Sequence, residues 1–217
     1  IISFVCAILV ALLLNEIRMK YFKKTVQIVV TFPHFLSWVV VSEIVLNLFG
    51  RYGAINNINF SLFGTRTEFL SNGRFFLGLL FTSDVWKEAG WSSIIYLATM
   101  AGISPELYEA ADIDGATRFQ KIRNITLPAI KSTAILLLIM SVGGILSAGF
   151  DQIFNLYNKL VYDVSDILDT YIYRSTFKSG QPLGVGTAIG LFKSVIGFIL
   201  VITTDRIAKA CGERGIL

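Results

Sequence analysis

The sequence predicts an all-α fold, a polytopic bundle of transmembrane helices, on three observations. Of the 217 residues, 54% are hydrophobic and 16% charged, whereas soluble domains average about 45–50% and about 25%. The apolar residues gather into five long stretches with short polar connections. Lys and Arg concentrate in every second connection, as they do when alternate loops stay on the cytoplasmic side.

The five stretches are Ile1–Leu14, Thr25–Phe49, Arg74–Ala101, Ala129–Phe150 and Gly184–Thr204. As a helix the first covers only about 21 Å, less than a hydrocarbon core of about 30 Å. It also begins without methionine or a basic leader, so the expectation is an N-terminally truncated domain that lacks part of this helix and whatever precedes it. The second contains Glu43 and Asn47 at i,i+4. The third has a polar middle with Asp84, Lys87 and Glu88 between apolar ends, and is expected to be one continuous helix. Charges at membrane depth face other helices or water; these are read either as an internal ion pair or as part of a transport path. Lys193, in the fifth stretch, either snorkels outward or faces the bundle.

Positive charge sets the orientation. Arg18, Lys20, Lys23 and Lys24 follow the first stretch, Arg118, Lys121 and Arg123 lie between the third and fourth, and Arg206, Lys209 and Arg214 close the chain. The longer connections Gly50–Gly73 and Asp151–Gln181 hold only Arg51, Arg66, Lys159, Arg174 and Lys178. The latter are expected to face outward, which leaves the C-terminus in the cytoplasm. With no internal repeat and no long soluble segment, residues 1–217 read as a single membrane domain.

Several functions are excluded. The net charge of +4 is not arrayed along a polar face for nucleic acid. Cys6 and Cys211 have no metal-like spacing, and His34, beside Pro33, is the single histidine, so no metal site is expected. No phosphate-binding loop of the Gly-x-x-x-x-Gly-Lys-Ser/Thr type occurs. The acids Asp163, Asp166 and Asp169 do not make the catalytic cluster that a membrane-bound glycosyltransferase would need. The glycines from Gly180 to Gly186 match no ligand-binding spacing and read as the lead-in to the last helix. Aromatic residues are 13% of the chain, but their usual places are membrane interfaces and bundle cores, so no sugar-binding residue is named. A secondary transporter driven by an ion gradient would account for paired charges at Asp84 and Lys87, but not for the loop that follows.

Ser104 to Gly115 carries the marks of a short, isolated helix. Ser104 suits the N-cap, Pro105 the first turn, Glu106 the N-terminal dipole and Gly115 the left-handed position after the last turn. About two turns of helix are marginal alone in water, so packing must hold it. Leu107, Ala110 and Ala111 share a face, which fits either a knob for another protein or simple packing against the chain's own bundle.

Glu109-Ala110-Ala111, then Gly115, then Ile125, Leu127 and Pro128, resembles the E-A-A loop of binding-protein-dependent ABC importer permeases, with nine residues separating Gly115 from Ile125. Further segments, among them Leu12-Leu13-Leu14-Asn15-Glu16-Ile17-Arg18, Asp84-Val85-Trp86-Lys87 and Gly190-Leu191-Phe192-Lys193-Ser194-Val195, are similar to the LplB-type sugar permeases. The resemblance implies six spans and import of sugars, chiefly oligosaccharides, by alternating access. It implies no enzyme activity and no cofactor in this chain, because ATP is bound and hydrolysed by a separate cytoplasmic ATPase dimer. The other implied partners are a second, related permease chain and an extracytoplasmic solute-binding protein, with membrane lipid around them. Residues 104–128 would form the coupling loop, Glu109 facing a basic group of the ATPase and Leu127 and Pro128 opening the next helix. A permease for a non-sugar solute is the alternative.

Overall fold

A computed structural model describes residues 2–146, 149–178, 182–210 and 212. The features expected at Ile1, Gly180, Gln181, Cys211 and Arg214 therefore lie outside the described residues. Within them every regular element is helical. In chain order the α-helices are α1 (Ile2–Glu16), α2 (Lys20–Thr31), α3 (Trp38–Phe49), α4 (Ala54–Phe63), α5 (Gly73–Ala101), α6 (Pro105–Ile113), α7 (Arg118–Lys121), α8 (Leu127–Gly143), α9 (Phe150–Leu156), α10 (Tyr162–Ser165), α11 (Leu168–Tyr173) and α12 (Leu183–Ala210). Three helical stretches are long and apolar enough to cross a membrane: Trp38–Phe63, Arg118–Gly143 and Leu183–Ala210. The helix α5 has the length, at 29 residues, but carries Asp84, Lys87 and Glu88, and α1 is apolar but shorter, at 15 residues.

The third and fifth predicted spans fall within single helices, α5 and α12. The second does not. After Thr31 the chain tightens into a 3-10 turn, Phe32–Phe35, and a new helix starts at Trp38. Pro33 lacks the N–H a continuing helix needs. Ser37 then caps α3, its hydroxyl accepting from the Val40 amide at 3.3 Å. The connection Gly50–Gly73 also differs from the expected loop, because α4 lies in it. Three asparagines dilute its hydropathy, yet Asn56 is fully buried, donating to the Gly50 and Thr67 carbonyls and accepting from the Thr67 amide, all within 2.8–2.9 Å.

The fourth predicted span is shifted as well. Its helical run begins at Arg118, passes through a π turn at Ile122–Thr126 and ends at Gly143, while Phe150 starts a different helix. Pro128 cannot donate to the carbonyl one turn back, and a π turn just ahead of it relieves the mismatch. Gly143 and Gly144 then end the run, since paired glycines lose the most conformational freedom in a helix.

The chain divides into two compact units. The first comprises Ile1–His34, Val85–Gly144 and Gly197–Leu217. Its core joins Ala7 and Ala11 of α1 to Tyr96 and Met100 of α5 and Ile130 of α8. Alanines four apart let the helix backbones approach closely, which is how membrane helices associate without a hydrophobic driving force. A Thr99–Thr133 hydroxyl pair at 3.2 Å adds a polar tie between α5 and α8. The second unit comprises Phe35–Asp84 and Ile145–Ile196. Val45, Phe76, Leu79, Leu80, Ile153, Leu156 and Val161 form its core, and buried Gln152 pins α9 to α5 by donating to the Leu80 carbonyl at 2.7 Å and the Ser83 hydroxyl at 2.9 Å.

Candidate functional site

The segment from Ser104 to Pro128 is built to hold a short helix outward. Pro105 opens α6 and Glu106 sits in its first turn. Ser104 occupies the N-cap, but its side chain accepts no capping hydrogen bond. The far end is fixed more firmly. Gly115 takes φ +71°, and the amides of Ala116 and Gly115 donate to the carbonyls of Ala111 and Asp112 at 2.9 and 3.1 Å. These are the two bonds of a Schellman motif, which a residue with a Cβ would strain. Thr117 immediately begins α7 with a reciprocal capping box: its hydroxyl accepts from the Gln120 amide, and the Gln120 side chain accepts from the Thr117 amide at 2.7 Å.

Two contacts fasten α6 to the run that leads into α8. Tyr108 Oη meets Thr126 Oγ1 at 2.9 Å, and Lys121 pairs with Asp112. Tyr108 and Ala111 are half-buried on this side. Leu107, Glu109 and Ala110 point outward, and Ile113 is 88% exposed. The predicted stripe Leu107-Ala110-Ala111 is therefore split, with Ala111 turned partly inward. Glu109 has no hydrogen-bond or ion-pair partner among the described residues.

Of the other predicted site residues, Ile125 is half-buried, while Leu127 and Pro128 are exposed. Leu127 and Pro128 are the first two residues of α8, which follows directly on the π turn in a helical run already begun at Arg118. The sequence reading missed Tyr108, Thr117 and Gln120. The Thr-x-x-Gln spacing was a visible capping signal, whereas nothing in the sequence joins Tyr108 to Thr126.

The polar middle of α5 resolves into a packed cluster in the first unit. Lys87, only 6% exposed, donates to the His34 carbonyl at 2.8 Å and pairs with Glu88 at 3.0 Å. The other Glu88 oxygen meets His34 Nδ1 at 2.8 Å, and the His34 ring stacks on Trp91 with centroids 4.5 Å apart. The carbonyl and ring freed where the helix breaks at Pro33 are thus satisfied by α5. Lys87 and Glu88 form an ion pair within the chain, and His34 is bound to both.

In the second unit Asp166 and Asp169 are each engaged separately, while Asp163 is exposed. Asp166 accepts from both guanidinium nitrogens of Arg174, at 2.5 and 3.1 Å, and from Thr170 at 2.7 Å. Arg174 also lies over the Tyr162 ring at 4.5 Å. Asp169 pairs with Lys193, which settles the open choice for that lysine: it faces the bundle. Burial alone would raise the Asp166 pKa, but the Arg174 and Thr170 hydrogen bonds outweigh it and hold the carboxyl below its ordinary value. A carboxylate held low contributes stability above its unfolded pKa of about 3.9, and that contribution is lost as pH falls through the lowered folded value. Amide protection in residues 151–178, taken relative to the intrinsic exchange rate at each pH, is therefore expected to hold down to about pH 4 and to fall below it. Asp166→Asn, measured the same way, should exchange faster at neutral pH and show a flatter response to acid.

The description "binding-protein-dependent transport system inner membrane component" fits this chain from residue 3 to residue 212. The chain belongs to that family. It is 45% identical over 218 residues to the polygalacturonan/rhamnogalacturonan transport system permease protein YteP of Bacillus subtilis (strain 168), an alignment that covers 99% of this chain and 67% of the relative. It is 41% identical over 215 residues to protein LplB of the same organism, again covering 99% and 67%. Among solved structures it resembles a bacterial alginate ABC transporter in complex with an alginate pentasaccharide-bound periplasmic protein. That likeness has a TM-score of 0.92 and 37% identity, and it covers 98% of this chain and 74% of the other.

As a member of an inner-membrane transport family, the chain is a membrane-embedded transport component rather than a member of an enzyme family. The exposed apolar side chains on α12, among them Leu191, Phe192, Val195 and Phe198, are accordingly lipid-facing or partner-facing surface rather than a defect of packing.

Proposed function

We propose that this chain is the transmembrane subunit of an ATP-driven importer of oligosaccharides, that residues 1–217 belong to a single permease domain, and that residues 104–128 form its coupling loop. The observation that carries the reading is the outward face of α6. Glu109, Ala110, Leu107 and Ile113 are presented to solvent by a helix locked at Gly115 and tied to α8. A short helix exposing apolar side chains and one unpaired carboxylate needs a partner surface with a hydrophobic cleft and a basic group. An ATPase dimer docked on the cytoplasmic side supplies it. The orientation follows from Lys and Arg, with α6 and the C-terminus in the cytoplasm.

ATP-dependent closure of the ATPase pair would carry α6 with it. The Tyr108–Thr126 bond and the Asp112–Lys121 pair would pass that displacement to the helical run ending at Gly143, opening the path outward; hydrolysis would reset it. A second permease chain completes the path, and a soluble binding protein delivers the sugar. Ile125, Leu127 and Pro128 shape the lower end of the moving helix, and Gly115 its turn.

The relatives indicate the substrate class. YteP is named for polygalacturonan and rhamnogalacturonan, and the structural neighbour imports alginate, an acidic polysaccharide. On that support we put oligosaccharides released from acidic polysaccharides first among the substrates. Sealed vesicles holding the permease pair, ATPase and binding protein should accumulate oligogalacturonides only with internal ATP. Uptake that follows an imposed ion gradient without ATPase would overturn the importer reading, and uptake of a non-sugar solute instead would overturn the substrate class.

In the same vesicles Tyr108→Phe removes one hydrogen bond, worth about 1 kcal/mol. It is expected to leave the ATPase bound but lower the sugar moved per ATP a fewfold. Unchanged stoichiometry would remove Tyr108 from the force path.

A further inference from the structure

Between the end of α1 and the docked end of α2 the chain reads Arg18-Met19-Lys20-Tyr21-Phe22-Lys23-Lys24, four cations interleaved with three large apolar side chains. Arg18, Lys20 and Lys24 are exposed and Lys23 half-buried. Among the described residues none of the four has an ion-pair partner, and Glu16, the nearest anion in sequence, pairs with none of them.

Periodicity sorts α2 into faces. Tyr21, Ile28, Val29 and Phe32 recur at one helical side, and all are exposed, Tyr21 to 90%. Lys20 and Lys24, one turn apart, border that side, while Val26 and Val30 lie half-buried on the opposite one. The C-terminal end is held against α5, where the Val30 carbonyl leaves no room for a side chain at Gly90. The basic, aromatic N-terminal half is left uncovered.

An apolar face bordered by cations, beginning four residues after the apolar helix α1 ends at Glu16, needs hydrocarbon on one side and anions at its edge. A leaflet containing anionic lipid offers both in that order: acyl chains for Tyr21, Ile28 and Phe32, and phosphates for the flanking charges. An acidic protein surface would meet the lysines but not the apolar face. We propose that Arg18, Lys20 and Lys24, with the Tyr21–Phe32 face beside them, form a site for acidic phospholipid headgroups in the inner leaflet. The leaflet assignment rests on the orientation given under Proposed function.

The test uses the assembled importer in nanodiscs, with Cys6 and Cys211 replaced by serine and a fluorophore on Tyr21→Cys. Spin-labelled phosphatidylglycerol or phosphatidylcholine is titrated as quencher. The expected result is half-quenching at a severalfold lower mole fraction of phosphatidylglycerol. That preference should shrink with each cation removed in Arg18→Gln, Lys20→Gln and Lys24→Gln, and be lost when all three are replaced. The same fluorophore at Phe198→Cys, on the exposed face of α12, should show no preference.

Equal quenching by the two lipids overturns the site. So does quenching by neither, which would mean that another subunit covers the face. Tyr21→Cys in right-side-out vesicles should resist an impermeant maleimide; labelling from outside would instead overturn the orientation, and the inner-leaflet assignment with it, whatever the quenching shows.

Discussion

Glu109→Lys is expected to abolish ATP-driven uptake by detaching the ATPase while leaving the permease folded. The carboxylate is exposed and has no partner among the described residues, so its replacement breaks nothing within the chain. Surface changes of this kind usually alter stability by less than about 0.5 kcal/mol. Against a basic group on a docked ATPase the reversal is different, because like charges brought together at an interface cost several kcal/mol. A loss of about 3 kcal/mol would weaken association more than a hundredfold. Co-purification of ATPase with the variant permease, and uptake by vesicles made from it, should both collapse, while its unfolding midpoint in detergent stays near that of the wild type. Normal association and uptake would remove Glu109 from the docking surface. A fallen midpoint would show that its role is structural.

The largest expected effect on folding comes from a residue with no side chain. At Gly90 on α5, an added Cβ would lie 2.0 Å from the Val30 carbonyl oxygen and 2.9 Å from the Thr31 amide nitrogen. Both are backbone atoms at the end of α2, where the chain turns towards Pro33, so no rotamer change can relieve the overlap. Either α2 moves away from α5 or the helix distorts, and overpacking of this kind costs about 3 kcal/mol or more. Gly90→Ala should lower the unfolding midpoint in detergent by roughly 10 °C and disturb the His34–Glu88–Trp91 cluster one turn away. Gly78→Ala on the same helix is the control: its Cβ would meet nothing within 4 Å, and alanine is the better helix former by about 0.5–1 kcal/mol. If both variants melt like the wild type, the close approach at Gly90 does not exist in the folded protein.

The short helix α6, proposed to couple to an ATPase, was legible because its signals are local. A proline at the first turn and a glycine in the left-handed region bracket α6 within eleven residues, and capping chemistry depends only on residues that close in sequence. The continuity of α5 was legible for a related reason: nothing in Gly73–Ala101 breaks a helix, and its charges affect hydropathy more than backbone preference. The second span misled because hydropathy averages over Pro33, whereas the backbone cannot. The segment after Gly50 misled in the opposite direction. Asn56 reads as loop, but its amide is satisfied by carbonyls distant enough in sequence that no short window includes both.

By itself the sequence determined that this is a helical membrane protein and where a short, capped helix sits between two of its apolar stretches. Those properties follow from composition, charge placement and short-range caps. Only the tertiary structure decided that Lys87 and Glu88 are occupied with His34, that Lys193 serves Asp169, and that Tyr108 is fastened to Thr126. Side chains 18 to 54 positions apart meet because helices pack. A polar group kept from water must find whichever partner that packing brings, and local sequence does not name it.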